Sequence, residues 1–425
     1  MTLPTVYDRM CWPQAVLEHA LATGAHEREL HAYLGDSEYR VLRSLARRTA
    51  SVSIPADAPA VYLLPGILGS QLGVPPAPPE PPDLLWLDPD DIVNGRLIAL
   101  RPDHPVALQP LGAVVYNYLA LRLRLAAAGL RAVLYDYDWR QDMIATARAL
   151  AARLDTESAA RIILVGHSMG GLLARAALPL CSVTTRARVQ QFIGLGTPHG
   201  GSMAAVQALR ATYPVVLRLA AMDQRHDAHT LTMGAFRYFH SLYQMLPGGD
   251  TGVDFHRLSS WPAVGAVPDE GLLRLAQAFH AQLADADQRF ISIIGTGQRT
   301  VTAVARDGDE FRYEVSSAGD GTVSIARASL PGARVYSLRC EHSELPRSPT
   351  VAAAIVDLIR SGDTRRLTSG VIEQRGKVVR LTDSTIRQEL ARKLDWHQLS
   401  VAERRRYLDH LSDPPVSYRA PVRKL

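Results

Sequence analysis

Six short, nearly continuous apolar runs recur between residues 60 and 338: AVYLL (60–64), RAVLYDY (131–137), RIILVG (161–166), QQFIGLG (190–196), RFISIIG (289–295) and RVYSL (334–338). A strand with one wet face alternates apolar and polar residues. These runs do not alternate, so each must be covered on both sides. Between them, VVYNYLALRLRLAAAGL, MGGLLARAAL and TVAAAIVDLIRS carry apolar residues at spacings of three and four, the period of a helix with one buried face. Strands of this kind alternating with helices predict an α/β chain with a mostly parallel central sheet and helices on both faces.

Two stretches break the alternation. PPAPPEPP (75–82) holds six prolines, forms neither helix nor central strand, and reads as a stiff extended loop. The interval from Gly200 to Gln288 is too long for a crossover. Its segments YPVVLRLAAM and MGAFRYFHSLYQML fit a helical cap, about 200–288, folded over one end of the sheet. TAVARDGDEFRYEV reads as a hairpin turning at Asp307 to Asp309. Residues 1–55 form a helical N-terminal extension in this reading, with Ser37 an N-cap. Residues 56–361 form the core and 362–425 a basic helical C-terminal extension. There SVAE (400–403) has the form of a capping box and DSTIRQELARKL is a second amphipathic segment.

Charge is uneven. From Ser361 to Leu425 there are 14 Lys and Arg against 8 Asp and Glu, while the remainder is nearly balanced at 33 against 34. Such a tail is a solvated helical face or a peripheral contact with anionic membrane. Nucleic-acid binding is not expected, because no recognised module accompanies the charge. No apolar run approaches the roughly 18–20 residues needed to cross a bilayer. The opening also lacks the basic and apolar regions of a signal peptide, so the expected compartment is the cytosol. Cys11, Cys181 and Cys340 are too few and scattered for a disulfide framework or a zinc motif.

The chemistry points to GHSMG, centred on Ser168, where RIILVG runs straight into MGGLLARAAL. A serine on such a strand-to-helix turn has its hydroxyl pushed outward, and Gly166 and Gly170 are needed because side chains there would collide with the turn. The helix N-terminus offers amides to a developing oxyanion. A base and an orienting acid should follow in the order acid, then histidine. Asp320 in SAGDGTVS and His342 in CEHSELP fit, each in a loop beyond a strand. The oxyanion donors are the amides of Met169 and of Ile67, the latter in the turn shaped by Pro65 and Gly66. Among rival histidines, His167 adjoins the serine but points elsewhere, and His199 in GTPHGGS braces its loop. His226 and His229 have an H-x-x-H spacing that lacks further metal ligands.

LLPGILGSQL, DYDWR, GHSMGG, GTPHGGS, GDGTV and EHSEL occur in an order that resembles the lecithin:cholesterol acyltransferase family. That family lies within the α/β-hydrolase superfamily and includes lysosomal phospholipase A2 and bacterial lipases. The similarity spans about residues 60–360. It implies an α/β-hydrolase fold, Ser168 as nucleophile, Asp320 as acid, His342 as base, and Ile67 and Met169 as the oxyanion hole. It further implies Trp139 and Arg140 as supports of the active-site wall and a mobile lid at about 74–100 around LLWLDPDD. The substrate-binding residues it implies are Trp86, Leu68 and Trp139. Several relatives have an acidic residue where this chain has Ile67, a change that spares a backbone donor. The disulfides of secreted relatives have no counterpart here.

The function expected is cleavage of a lipid ester, as by a lipase or phospholipase A, with no metal or organic cofactor. The alternatives are an acyltransferase that passes the chain to a lipid alcohol, and a non-catalytic interaction protein built on the same fold. A mixed case is a membrane-attacking effector whose flanking helices govern delivery. The sequence leaves headgroup, acyl length and oligomeric state open.

Overall fold

All six apolar runs become parallel neighbours in one sheet. A computed structural model describes residues 6–77, 81–249, 251–372, 377–389 and 392–412. In spatial order the sheet runs Thr368–Ser369, Arg334–Arg339, Phe290–Thr296, Val189–Leu195, Ile162–His167, Ala60–Leu64 and Arg131–Leu134. Every pair is parallel except the first. The chain enters at Ala60–Leu64, steps to the edge at Arg131–Leu134, then returns to the other side of its first strand. The order therefore reverses between Ala60–Leu64 and Ile162–His167, and open α/β sheets gather ligands at such a switch point. Leu64 pairs with Gly166 in register, which sets the loop after the first strand beside Ser168.

Alternate residues of each strand enter different cores. Tyr62, Leu64, Ile162 and Leu164 face the side that carries the cap. Val61, Leu63, Ile163 and Val165 face Leu121, Leu125, Val351, Ile355 and Leu358. Fully burying one such side chain contributes about 1.5–3 kcal/mol, so the scarcity of polar residues in these runs is what both-sided cover requires.

The interval after Gly200 is helical, with Met203–Leu209, Pro214–Met222, Ala228–Gly234, His240–Gln244 and Glu270–Ala276. The hairpin forms between Thr300–Asp307 and Glu310–Ser316. Near the N-terminus, helices Gln14–Thr23 and Glu27–Ala50 bury Leu17, Leu21, Leu30 and Leu42 against Leu119 and Leu123 of helix Val115–Ala127. The backbone at Gly35 (φ 75°, ψ 159°) is not helical, so two helices meet there at a kink, and Ser37 lies in the first turn after the break. The region read as a lid is packed. Asp83–Trp86 pairs with Ser70–Val74, and Arg96 bridges Asp83 and Asp91, each at 2.8 Å. Residues 78–80 of the proline run lie outside the described residues.

The tail is not an appended helical arm. Thr368–Ser369 extends the main sheet and Val379–Thr382 adds a third strand to the hairpin. Asp383 then meets Arg210 at 2.6 Å with both side chains buried, and accepts a hydrogen bond from Tyr313 Oη at 2.6 Å. Helix Val401–Asp409 follows, opened by a capping box between Ser400 and Glu403. Strands of two and four residues carry too few positions to show a period, which is why this strap read as helix. Among the described residues no helix is long and apolar enough to cross a membrane.

Candidate active site

Ser168 stands where strand Ile162–His167 turns into helix Met169–Ala177, at φ 53° and ψ −125°. Positive φ strains a residue with a Cβ, at a cost of order 1–3 kcal/mol, and persists only where the surroundings over-determine it. Here the Ser168 N–H donates to Leu195 O at 2.9 Å. A Cβ on Gly170 would lie 2.2 Å from Leu64 O, so glycine allows the new helix to start against the first strand. On the opposite flank a Cβ on Gly66 would lie 2.9 Å from the Ser168 Cβ.

Asp320 is buried in the loop beyond the hairpin. One carboxylate oxygen, Oδ1, accepts the N–H groups of Thr322 (3.0 Å) and Val323 (2.7 Å). The other, Oδ2, is 2.7 Å from His342 Nδ1. A carboxylate only accepts, so the imidazole proton is assigned to Nδ1 and Nε2 keeps its lone pair. The His342 N–H also donates to Asp320 O at 2.8 Å, locking the two loops together. Ser168 and His342 line one cavity of about 210 Å³. Among the described contacts no hydrogen bond joins the Ser168 hydroxyl to the imidazole; bonds of this kind tighten when substrate binds.

Ile67 and Leu68 line the same cavity, with Leu68 at φ 65°. The Ile67 amide donates to no protein acceptor among the described contacts. The Met169 amide is the first of its helix and has no intrahelical partner. Trp86 lines the cavity and ties the loop down through Nε1 to Leu68 O at 2.8 Å. A second, apolar cavity of about 70 Å³ also opens at Ser168. Its wall includes Val216, Leu219, Phe236, Phe239 and Leu242 from the cap.

Some expected residues lie elsewhere. Trp139, read as substrate-binding, is fully buried and lines neither cavity. Its ring backs Trp86 at 5.8 Å and its Nε1 donates to Ser70 O at 2.9 Å. Arg140 grips Asp138 with two hydrogen bonds and holds Leu100 O at 2.9 Å. His199 is buried between Arg175 (3.4 Å) and Ser292 (3.5 Å), and burial followed by the Arg175 charge pushes its pKa down to about 3. His226 pairs with Asp223 at 3.0 Å, and among the described residues no cluster of three His, Cys, Asp or Glu could hold a metal. His167 does not point away. It lies against His342 with ring centroids 4.8 Å apart and bonds to Tyr118. Residues of both chain ends, Tyr33, Arg405 and Asp409 among them, also line the serine cavity. Sequence reading missed Tyr118 and these end residues, because an aromatic on a helix and a charged helical face look structural.

The strand order, the switch point and a strained serine on a strand-to-helix turn define an α/β-hydrolase fold. The family model described as lecithin:cholesterol acyltransferase matches residues 126–270. That segment carries DYDWR, GHSMGG and GTPHGGS, so over it the chain matches the family its motifs resemble. Among solved structures, the mature form of the Bacillus licheniformis lipase BlEst2 is similar over 73% of this chain and 95% of its own, at 14% identity and a TM-score of 0.37. Its propeptide form is similar over 76% and 54%, at 13% identity and a TM-score of 0.38. The Tle4–Tli4 complex is similar over 57% and 75%, at 13% identity and a TM-score of 0.34. Likeness at that level leaves the fold assignment on the strand order and the serine turn. No curated protein matches the sequence.

Proposed function

We propose that the protein cleaves carboxylic esters of lipids, as a lipase or phospholipase does, through an acyl-enzyme on Ser168. His342 Nε2 takes the Ser168 proton and the alkoxide attacks the ester carbonyl carbon. Asp320 holds the imidazole in the required tautomer and stabilises its cationic form. The negative oxygen of the tetrahedral intermediate lies between the amides of Ile67 and Met169. Collapse breaks the ester bond, and His342 returns the proton to the departing alcohol. Water, activated by the same imidazole, then releases the acid; an alcohol in its place yields acyl transfer, which product analysis with added sterol or diacylglycerol distinguishes.

The observation that carries this reading is a junction. The strained serine and the Asp320-paired imidazole line one cavity, and the same serine opens onto an apolar pocket suited to an acyl chain. The excess of Lys and Arg after residue 360 supports peripheral contact with anionic membrane, which salt should weaken. The test is labelling with a fluorophosphonate probe beside turnover of a long-chain ester. Wild type should react and turn over, whereas Ser168→Ala should do neither. Unaltered hydrolysis by Ser168→Ala would return the case to an interaction protein with a contaminating esterase.

A further inference from the structure

Three segments must keep fixed relative positions for this chemistry: the turn of Gly66 and Ile67, the bend at Ser168, and the loop of His342. One chain of hydrogen bonds joins all three. The Gly66 N–H donates to Tyr118 Oη at 2.9 Å. Tyr118 Oη lies 2.9 Å from His167 Nδ1, and His167 Nε2 lies 3.0 Å from the His342 carbonyl oxygen. The directions follow from the ends inward. A carbonyl only accepts, so His167 Nε2 carries a proton. In the neutral ring Nδ1 then accepts, and Tyr118 must donate to it while accepting from Gly66 on its own oxygen. Each group is used once, and one neutral tautomer satisfies them all. Burial, then the neighbouring His342 imidazole, holds His167 well below the ordinary histidine range, which keeps the ring neutral. Burial likewise raises the Tyr118 phenol and keeps its proton in place.

Tyr118 belongs to helix Val115–Ala127, whose other buried residues are valine, leucine and alanine, so its hydroxyl is the polar group among the buried side chains of this helix. Pure packing would be served by phenylalanine. We infer that Tyr118 and His167 are positioning residues, aligning the oxyanion turn with the loop of the base so that the two act as one rigid unit. The inference rests on the Ser168–His342 reading above. Neither side chain transfers a proton in the reaction. Their effect is exerted through the angle of the Gly66–Ile67 peptide and the placement of the His342 backbone.

Tyr118→Phe removes one oxygen and leaves the Gly66 N–H and His167 Nδ1 without their shared partner. Its test uses the full chain and a short p-nitrophenyl ester, with rates divided by active sites titrated with fluorophosphonate so that only folded enzyme counts. A misaligned hole should lower kcat about ten-fold with KM within about two-fold of wild type. His167→Gln should lower kcat as well, and the double variant should lose no more than the worse single one, because both cut the same chain. Wild-type kcat per titrated site in Tyr118→Phe overturns the inference, and so do losses that simply multiply in the double variant. Ser168→Ala separates the two levels. If it is inactive while Tyr118→Phe is unimpaired, only the positioning role falls; if it retains full turnover, the hydrolase reading falls first.

Discussion

On one side of Ser168 the wall is apolar and comes from the cap: Val216, Leu219, Phe236, Phe239 and Leu242, all continuous with the main core. On the other side Tyr33, Tyr116, Arg347, Arg405 and Asp409 line the cavity, drawn from segments far apart in the chain. The first wall excludes water by close packing. The second is held by polar and cation–π contacts. Arg405 lies 4.3 Å from the centroid of Tyr116 and 6.0 Å from that of Tyr33, and pairs with Asp409 at 3.0 Å. Arg347 lies 3.9 Å over Tyr116 and pairs with Glu344 at 2.7 Å. No residue of helix Val401–Asp409 is buried. Cation–π contacts contribute about 0.5–2 kcal/mol each, whereas emptying a core site costs about 2–5 kcal/mol. The contrast teaches that the apolar wall is fixed by the core, while helix Val401–Asp409, with no buried residue, is the part of the second wall that moves at lowest cost.

The comparison presumes one nucleophile serving both sides. Ser168→Ala should therefore reduce turnover of short and long esters alike, on the order of 10⁴-fold or more, in a steady-state assay. Retention of either substrate would break the comparison at its root. A smaller effect sharpens the apolar side. Leu242→Trp should fill the pocket and lower kcat/KM for a palmitoyl ester about 30-fold relative to a butyryl ester, given about 0.8 kcal/mol per buried methylene. Equal losses on both chains would detach the acyl group from this wall.

Buried histidines on the core side set a pH dependence. His199 has its pKa pushed down to about 3 by burial. The unfolded chain therefore binds a proton near pH 6.5 that the native state refuses. Stability is full above that pH and should fall as the solution is acidified toward pH 3, by about 1.4 kcal/mol per pH unit for each such histidine. Urea melts across that range should show the slope, and His199→Gln should reduce it by one proton; an unchanged slope would count against a neutral His199. The smallest effect concerns the chain ends. Arg405→Ala loosens helix Val401–Asp409 and should raise the ratio of turnover on zwitterionic lipid vesicles, which the tail's charge does not attract, to short-ester turnover by about two- to three-fold. A fall in that ratio would mean that Arg405 holds substrate rather than the helix.

Much of the architecture was legible because burial on both faces leaves a composition no other element shares. RIILVG and AVYLL read as central strands for that reason, and they flank the switch point. Asp320 and His342 were named from their loops, and in the structure they meet at 2.7 Å. Trp139 was placed on the substrate side, yet it stands one layer behind, since sequence order says nothing about depth. Tyr118 gave no signal, because its helix reads as amphipathic whether or not one hydroxyl is used. His167 was read as pointing away from the serine, and only the three-dimensional path from Gly66 to His342 gives it partners.

The sequence by itself determined the layered fold and the bend that carries Ser168, because strand burial, helical period and glycine sterics act between near neighbours. The tertiary structure decided which distant groups share a cavity, how the tail straps onto the sheet and hairpin, and what joins the Gly66 turn to the His342 loop. Those depend on contacts between residues tens to more than a hundred positions apart, whose geometry is set by the packing of the whole chain and leaves no local pattern to read.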